Sequence, residues 1–342
     1  MTTSLRWIVA GTLISIILGG VGFVYFDKQT ASWHLTPATL PESASSNTDT
    51  FAPLPFVVLK DQPKVALGKR LFNEPKLSGN ASVSCAHCHN LATGGVDRAV
   101  SSRGIDGKEG RINAPTVFNS SMNFRQFWDG RADSLEDQID GPLNNPLEMG
   151  SSWPQAVTAL SNDPQYKAEF AVVYRDGITP HNIKDAIATF ERSLITPDSR
   201  FDRYLRGDHS AMNEEELAGL HLFKKIGCTS CHQGVNIGGN MFQKLGIMED
   251  YFAARGNISL ADQGRFNVTQ KEEDRYFFRV PSLRNVALTP PYLHDGSAKT
   301  LDQAVKIMGR YQLGKELDEP DTRKIVAFLR SLTGNYLGQP LQ

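Results

Sequence analysis

The sequence predicts a mainly α-helical protein in which one N-terminal transmembrane helix precedes two related halves. Three observations lead to this fold class: the helical spacing of apolar residues, a repeat along the chain, and an uncharged N-terminal stretch. Ile183, Ile187 and Phe190 fall on one helical face, residues 325–332 repeat this spacing, and the period-two alternation of strands is scarce.

The N-terminus carries an uncharged stretch, residues 7–26, whose length matches one crossing of a bilayer. No clear cleavage site follows it, which favours an uncleaved signal anchor over residues 1–28 rather than a removed signal peptide. Residues 29–55 are rich in Ser, Thr, Ala and Pro and predict a flexible tether. With either alternative, the remaining chain is exported.

The rest of the chain repeats itself. Gly68 and Phe72 stand four positions apart before one cysteine motif, as Gly219 and Phe223 do before another. Further residues recur at one constant offset, which predicts an internal duplication into two domains of residues 56–206 and 207–342. These residues are Pro115, Asn119, Asp129, Gly130 and Leu135, matched by Pro281, Asn285, Asp295, Gly296 and Leu301.

All four cysteines lie in two Cys-x-x-Cys-His motifs, the attachment signature of c-type haem. The two thiols form thioethers and the following histidine ligates iron. Two disulfides or a zinc site are the alternatives, but either leaves the adjacent histidine unexplained in both copies. The predicted cofactors are two covalent haems, which indicates a periplasmic protein, anchored to the inner membrane or soluble if the signal is cleaved. The predicted haem-binding residues are Cys85, Cys88, His89, Cys228, Cys231 and His232.

The sixth iron position decides between electron transfer and catalysis. Met308 in the second half is a candidate axial ligand that would suit an electron-accepting haem, with core packing as the alternative. Glu148 lies in an apolar, proline-flanked run, where burial would raise its pKa and suit a group that transfers protons. Gln138, on the helix before it, is a candidate for the same pocket. The net charge of -1 argues against nucleic acid as a partner.

Five stretches together resemble the bacterial di-haem cytochrome c peroxidase family, and the likeness runs over nearly all of residues 56–335. The resemblance implies two cytochrome-c-like haem domains, of which the first splits hydrogen peroxide and the second takes electrons from a small donor protein. Homodimers occur in the family. The stretches are VSCAHCHNL (83–91), NAPTVFN (113–119), FWDGR (127–131), PLNNPLEM (142–149) and PPYLHDG (290–296).

The resemblance also implies roles for single residues. Met308 becomes the axial ligand of the electron-entry haem, Glu148 the acid and base over the peroxidatic iron, and Trp128 the aromatic residue between the haems, although Trp128 could equally pack in the core. The family binds calcium through an Asn side chain and two backbone carbonyls, and here the matching positions are Asn113, Thr289 and Pro291.

One departure from the family concerns a histidine that ligates the peroxidatic iron at rest in many members. Its position is Ile105 here, and no histidine lies between His89 and His181. We therefore expect a first haem that is open or water-bound at rest and an enzyme that reacts without reductive activation. Two alternatives remain: a di-haem oxidase that modifies tryptophan or tyrosine of a partner protein, with Tyr311 as the rival ligand to Met308, and a plain electron carrier. A small cytochrome c, a cupredoxin or a quinol would serve as donor.

Overall fold

The computed structural model describes residues 50–342 and, before them, Val24–Asp27 and Ser32–Leu35. The predicted mainly α architecture is confirmed. The helices of the described residues are α1 (Gln62–Phe72), α2 (Cys85–Cys88), α3 (Leu135–Asn144), α4 (Trp153–Ser161), α5 (Pro164–Val173), α6 (Pro180–Arg192), α7 (Arg200–Leu205), α8 (Glu214–Ile226), α9 (Tyr251–Arg255), α10 (Phe266–Thr269), α11 (Leu301–Ile307) and α12 (Glu319–Arg330). The strands pair as three antiparallel ribbons, β1 (Val24–Asp27) with β2 (Ser32–Leu35), β3 (Phe242–Lys244) with β4 (Phe277–Arg279), and β5 (Asn335–Tyr336) with β6 (Gln339–Pro340).

The predicted membrane span, residues 7–26, lies outside the described residues except for its last three, which belong to β1. Among the described residues, no helix is both long and apolar enough to cross a bilayer. The tether was predicted over residues 29–55, but its last six residues belong to the compact unit that follows. Residues 50–342 form one compact unit, because Phe51 and Leu54 are 3% and 1% exposed and act as apolar anchors within an otherwise polar stretch.

The capping patterns Ser134-x-x-Asp137 and Thr300-x-x-Gln303 predict helix starts just after the repeated Asp-Gly turns, and α3 and α11 begin there. The Ser134 hydroxyl accepts a hydrogen bond from the Asp137 amide at 3.1 Å and caps α3. Thr300 and Gln303 form a reciprocal capping box at the start of α11. Because each cap satisfies amides that have no partner within the helix, the polar side chain fixes the helix start.

Helix pairs cross at equivalent glycines. A Cβ atom at Gly68 of α1 would lie 1.9 Å from the Ala186 carbonyl oxygen of α6. A Cβ atom at Gly219 of α8 would lie equally close to the Lys324 carbonyl oxygen of α12. Only glycine allows helix backbones to approach this closely, so the repeated glycines set both crossings. Beside each crossing, two phenylalanine rings pack at 5.4 Å in one pair and 5.2 Å in the other.

Two apolar cores follow from these crossings. One is built mainly from residues 65–194 and the other from residues 201–332. Segments are exchanged between them: Phe51 packs in the second core, whereas Tyr336 packs against Phe118 in the first, with ring centroids 5.2 Å apart. The side-chain amides of Asn119 and Asn285 both donate to the Thr196 hydroxyl, at 2.8 and 2.9 Å.

Candidate functional site

The first cysteine motif forms α2, and His89 follows directly. The His89 Nδ1–H donates a hydrogen bond to the carbonyl oxygen of Gly95 at 3.3 Å. Gly94 and Gly95 both have positive φ, which turns the loop back under the ring. Burial lowers the pKa of His89, against the effect of the Gly95 carbonyl, so the ring is neutral at pH 7. Its Nε2 therefore keeps a lone pair for a metal ion.

The second motif has the same arrangement. A short helical turn spans Cys228–Ser230, and the His232 Nδ1 donates to the carbonyl oxygen of Ile237 at 3.3 Å. Burial lowers the pKa of His232 to about 4, so this ring is also neutral and keeps a free Nε2.

The cysteine thiols are unpaired and partly buried. Burial raises the pKa of Cys85 and Cys228 to about 12 and that of Cys88 to about 11. Among the described residues, no three cysteine, histidine or acidic side chains that include a residue of either motif lie close enough together to hold a metal ion. The donor set thus fits covalent attachment of haem, with one neutral histidine ready under each group, better than a zinc site.

A cavity of about 400 Å³ opens beside the second motif. His232 and Met308 both line it, and its walls are otherwise mostly apolar. Met308 begins a π-helical turn, Met308–Gln312, at the end of α11. Tyr311 is absent from the described side chains that line this cavity, and its ring packs instead on Tyr251 at 5.1 Å. Met308 is thus the better placed of the two candidate ligands.

Arg279, which the sequence did not indicate, also lines this cavity and is 3% exposed. Its Nε donates to the Phe127 carbonyl oxygen at 3.2 Å, and no carboxylate of the described residues forms a salt bridge with it. Burial lowers the pKa of Arg279 to about 10, which still leaves it charged at pH 7. A buried cation without an acidic partner fits a ligand that carries its own carboxylates, as haem does.

Glu148 lies beside the first motif. Its Oε1 accepts a hydrogen bond from the Asn145 amide at 2.7 Å. Burial raises the pKa of Glu148, and the effects of Asn145 and the nearby Arg131 oppose this shift. The charge of Glu148 also contributes to the raised pKa of Cys88, so the carboxylate is close to the attachment thiol. Glu148 is therefore partly buried and close to Cys88, while its catalytic role stays a prediction.

The loop of residues 101–110 packs directly on the Glu148 turn. The Ile105 amide donates to the Glu148 carbonyl oxygen at 2.8 Å, and the Ile105 side chain is 7% exposed in the first core. A Cβ atom at Gly104 would lie 2.2 Å from the Leu147 carbonyl oxygen. The absence of a side chain at Gly104 thus lets the loop hold the backbone of Glu148.

Comparison with known proteins agrees with this geometry. A family model described as di-haem cytochrome c peroxidase matches residues 62–210. A cytochrome c peroxidase of Escherichia coli (strain K12) is 50% identical over 310 residues, which make up 90% of this chain and 66% of the relative. The cytochrome c551 peroxidase of Nitrosomonas europaea is 46% identical over 284 residues, 83% of this chain and 84% of the relative. The chain belongs to the di-haem cytochrome c peroxidase family.

This family membership implies two c-type haems, in agreement with the two motifs. The fold agrees as well: the crystal structure of a MauG-like protein associated with microbial copper homeostasis superposes with a TM-score of 0.73 at 28% identity, covering 84% of this chain and 94% of that chain. The chain spans slightly less than two thirds of the length of its relative from E. coli.

In this di-haem protein, Trp128 lines the cavity beside the second motif. Its Nε1 donates to the Asn113 carbonyl oxygen at 2.9 Å, and its ring meets His294 edge to face at 6.4 Å. His294 is buried and lies 2.7 Å from Asp262, a partner that sequence reasoning missed. The repeat pointed to His294, because it occupies the position of Trp128 in the second half, whereas no pattern pointed to Asp262.

The remaining predicted residues are located as follows. Asn113, Thr289 and Pro291 line the same cavity, and the Asn113 side-chain amide donates to the Ala99 carbonyl oxygen at 2.8 Å. Gln138 is partly exposed on α3, and within residues 50–342 no hydrogen bond joins its side chain to Glu148. The calcium site at Asn113, Thr289 and Pro291 and the pocket role of Gln138 both stay predictions.

Proposed function

We propose that this protein reduces hydrogen peroxide to water at the first haem, with electrons that enter through the second. The observation that carries the proposal is the inequality of the two sites. Met308 and His232 line one cavity, whereas the His89 motif has a carboxyl group of raised pKa beside it and isoleucine at position 105. One closed and one open iron is the division of labour that peroxide reduction needs.

The haem group of the first site would supply the electrons that cleave the O–O bond. The chain's own part is proton transfer. Glu148, as a carboxylate, accepts the proton from the inner peroxide oxygen and returns it to the outer oxygen, which then leaves as water. The hydrogen bond from Asn145 keeps the carboxylate in one orientation, and the loop at Ile105 holds its backbone. Two further protons and two electrons complete the reduction to two water molecules.

We further propose that the resting protein needs no reductive activation, because Ile105 cannot ligate iron and packs in the core. Stopped-flow mixing of the fully oxidised holoprotein with peroxide tests this. A rapid change in the absorption of the first haem is expected. If the spectrum changes only after one electron has been added, this part of the proposal is wrong.

Methionine ligation supports peroxide reduction over oxidation of a partner protein, since Tyr311 packs away from the cavity. Near-infrared absorption of the oxidised protein separates the two, because a methionine-ligated ferric haem has a weak charge-transfer band that a tyrosine-ligated one lacks. Electron paramagnetic resonance separates both from a plain carrier. One high-spin and one low-spin signal are expected, whereas a carrier gives two low-spin signals.

Four further proposals accompany this function; they concern the origin of the two halves, a calcium site, the location and donor of the protein, and two additional catalytic residues. Residues 56–206 and 207–342 arose by duplication, supported by the matched glycine crossings. Calcium binds through Asn113 and the carbonyls of Thr289 and Pro291, which line one cavity. The protein is periplasmic and held at the inner membrane by residues 1–28, with a small cytochrome c, a cupredoxin or quinol as donor. Catalysis also uses Gln138 and the relay residue Trp128.

The calcium site and the membrane anchor can each be measured directly. Metal analysis after gel filtration should find calcium in the wild type and a reduced amount in Asn113→Ala. Carbonate extraction of membranes should leave the full chain in the pellet and release a chain that begins at residue 50. Release of both forms would exclude the anchor.

A further inference from the structure

Glu191 is a buried carboxyl group to which the proposed reaction assigns no part. It lies at the end of α6, is 5% exposed, and its Oε2 has no hydrogen-bond partner among the described residues. Burial raises the pKa of Glu191 to about 8. An unpartnered carboxyl group in a protein interior is costly, and such groups concentrate at functional sites.

The helix crossings place Glu191 at the first haem site. In the two crossings, Phe190 and Phe328 occupy the same position relative to the facing glycine. The next residue is Glu191 in α6 and Leu329 in α12. Leu329 lines the cavity that also contains His232. By the same geometry, Glu191 faces the site of the first motif.

A second observation agrees with this placement. After burial, the charge of Glu191 is the largest contribution to the raised pKa of the Cys85 thiol, so the two groups are close. The charges of Asp97 and Glu148 likewise contribute to the raised pKa of Cys88. Carboxyl groups thus lie near both attachment thiols of the first site, and Glu191 is the one near Cys85, whereas no carboxylate contributes to the pKa shift of Cys228.

The charges around Glu191 are few. Arg192 on the same helix lowers its pKa, and Glu136 from α3 raises it. Arg192 donates to Glu136 at 2.7 Å, so these two partly cancel. The turn Ser120–Met122, which also packs on α6, has no titratable side chain. The cations of α1 that face acids are paired, Lys64 with Asp185 and Arg70 with Glu169.

We propose that Glu191 exchanges one proton with solvent for each electron that enters or leaves the first haem, which rests on the proposed function only in requiring haem at this site. When the site loses an electron, the O–H bond of the Glu191 carboxyl group breaks and the proton passes to water. When the donor returns the electron, the carboxylate takes a proton from water. The net charge of the site then stays constant through the cycle.

The test is a potentiometric titration of the first haem in the holoprotein at a series of pH values, without peroxide. The wild-type midpoint potential should fall with pH by up to ~59 mV per tenfold drop in proton activity. Glu191→Gln, and Glu191→Leu, which copies Leu329, should make the potential nearly independent of pH. The equivalent position of α12 already holds leucine, and the haem content of each variant reports whether it has folded.

Two further variants locate the proton. Glu136→Gln removes a negative neighbour, so the slope should persist but shift to lower pH. Glu148→Gln should also keep the slope. An unchanged slope in Glu191→Gln, or a flat wild-type profile, would overturn the inference. Because no peroxide is used, these results are independent of turnover: a peroxidase with an unchanged slope refutes only the role of Glu191, and a lost slope without peroxidase activity refutes only the proposed function.

Discussion

The two haem sites share one scaffold and differ in a few side chains. Each has a Cys-x-x-Cys-His motif, a neutral histidine bound to a backbone carbonyl, and a helix crossing at a glycine. The carboxyl groups of Glu148 and Glu191 lie beside the first motif, whereas Met308 and Leu329 line the cavity beside the second motif. The comparison teaches that the proton-transfer and electron-transfer roles proposed above rest on the polarity of a few side chains and not on a difference in backbone fold.

The largest effect is expected from removing the proton-transfer group of the first site. Glu148→Gln keeps the shape and the Asn145 contact but cannot accept a proton, so peroxide turnover should fall by about 10²–10⁴-fold. Steady-state turnover, normalised to haem content, measures it. Glu316→Gln, whose side chain is 79% exposed, is the control and should behave as wild type. Equal turnover in both variants would remove Glu148 from the mechanism.

The second site is tested by Met308→Leu. Loss of the thioether should lower the midpoint potential of the second haem by on the order of 0.1 V and abolish the near-infrared band, because a sulfur ligand favours the reduced iron. Potentiometry with optical detection checks both. Met248→Leu, at a residue that is 59% exposed, should change neither. A second haem with unaltered potential in Met308→Leu would show that another group completes its coordination.

The support under Glu148 is tested by Gly104→Ala. The new Cβ atom would meet the Leu147 carbonyl oxygen at 2.2 Å, so the free energy of unfolding should fall by about 1–3 kcal/mol, as for other overpacked sites. Urea unfolding measures this loss, and turnover should fall with it. Gly110→Ala in the same loop, with a nearest contact of 3.1 Å, is the milder control. Similar losses in both variants would argue against a specific role for the loop contact.

A smaller effect is expected between the sites. Trp128→Phe keeps a ring near His294 but loses the hydrogen bond to Asn113, and electron transfer from the second to the first haem should slow about tenfold, or about 1.4 kcal/mol in barrier height. Stopped-flow reoxidation of the reduced second haem reports the rate. Trp153→Phe loses a comparable hydrogen bond to Asp140, at 2.7 Å, and should leave the rate unchanged. A stability loss alone would mean that Trp128 only packs.

The smallest change is a shift in pH dependence. In the proposed mechanism Glu148 acts as a base, so turnover should rise as pH increases through its pKa, and burial raises that pKa above the ordinary value of about 4.3. The acid limb of kcat/KM should therefore lie above pH 4.3 and disappear in Glu148→Gln. An acid limb that persists in this variant belongs to another group.

Much of this could be predicted from the sequence, because short-range patterns encode it. The haem motifs, the caps at Ser134 and Thr300, and the repeated glycines each depend on neighbours within a few positions. The buried position of Phe51 could not be predicted in this way, because its partners lie some 150 residues further along the chain. For this reason the predicted tether included residues that belong to the folded body.

The site residues differ in the same way: some are indicated by their neighbours in the sequence, and others only by contacts between distant segments. Glu148 was identifiable because its apolar, proline-flanked run signals burial. Arg279 and Asp262 were not, since the partners that make them significant come from distant segments. Glu191 belongs to Phe-Glu-Arg-Ser-Leu (190–194), which recurs as Phe-Leu-Arg-Ser-Leu (328–332). Its importance becomes visible only in the folded protein, where Leu329 lines the cavity beside the second motif.

The exchange of terminal segments has a consequence for dissection of the molecule. Phe51 completes the second core, and Tyr336 covers the first. Cutting the chain between residues 206 and 207 therefore leaves each fragment holding a piece of the other's interior. The two fragments should be insoluble when produced singly and should reassemble when produced together. Neither half has a complete apolar core without a terminal segment of the other.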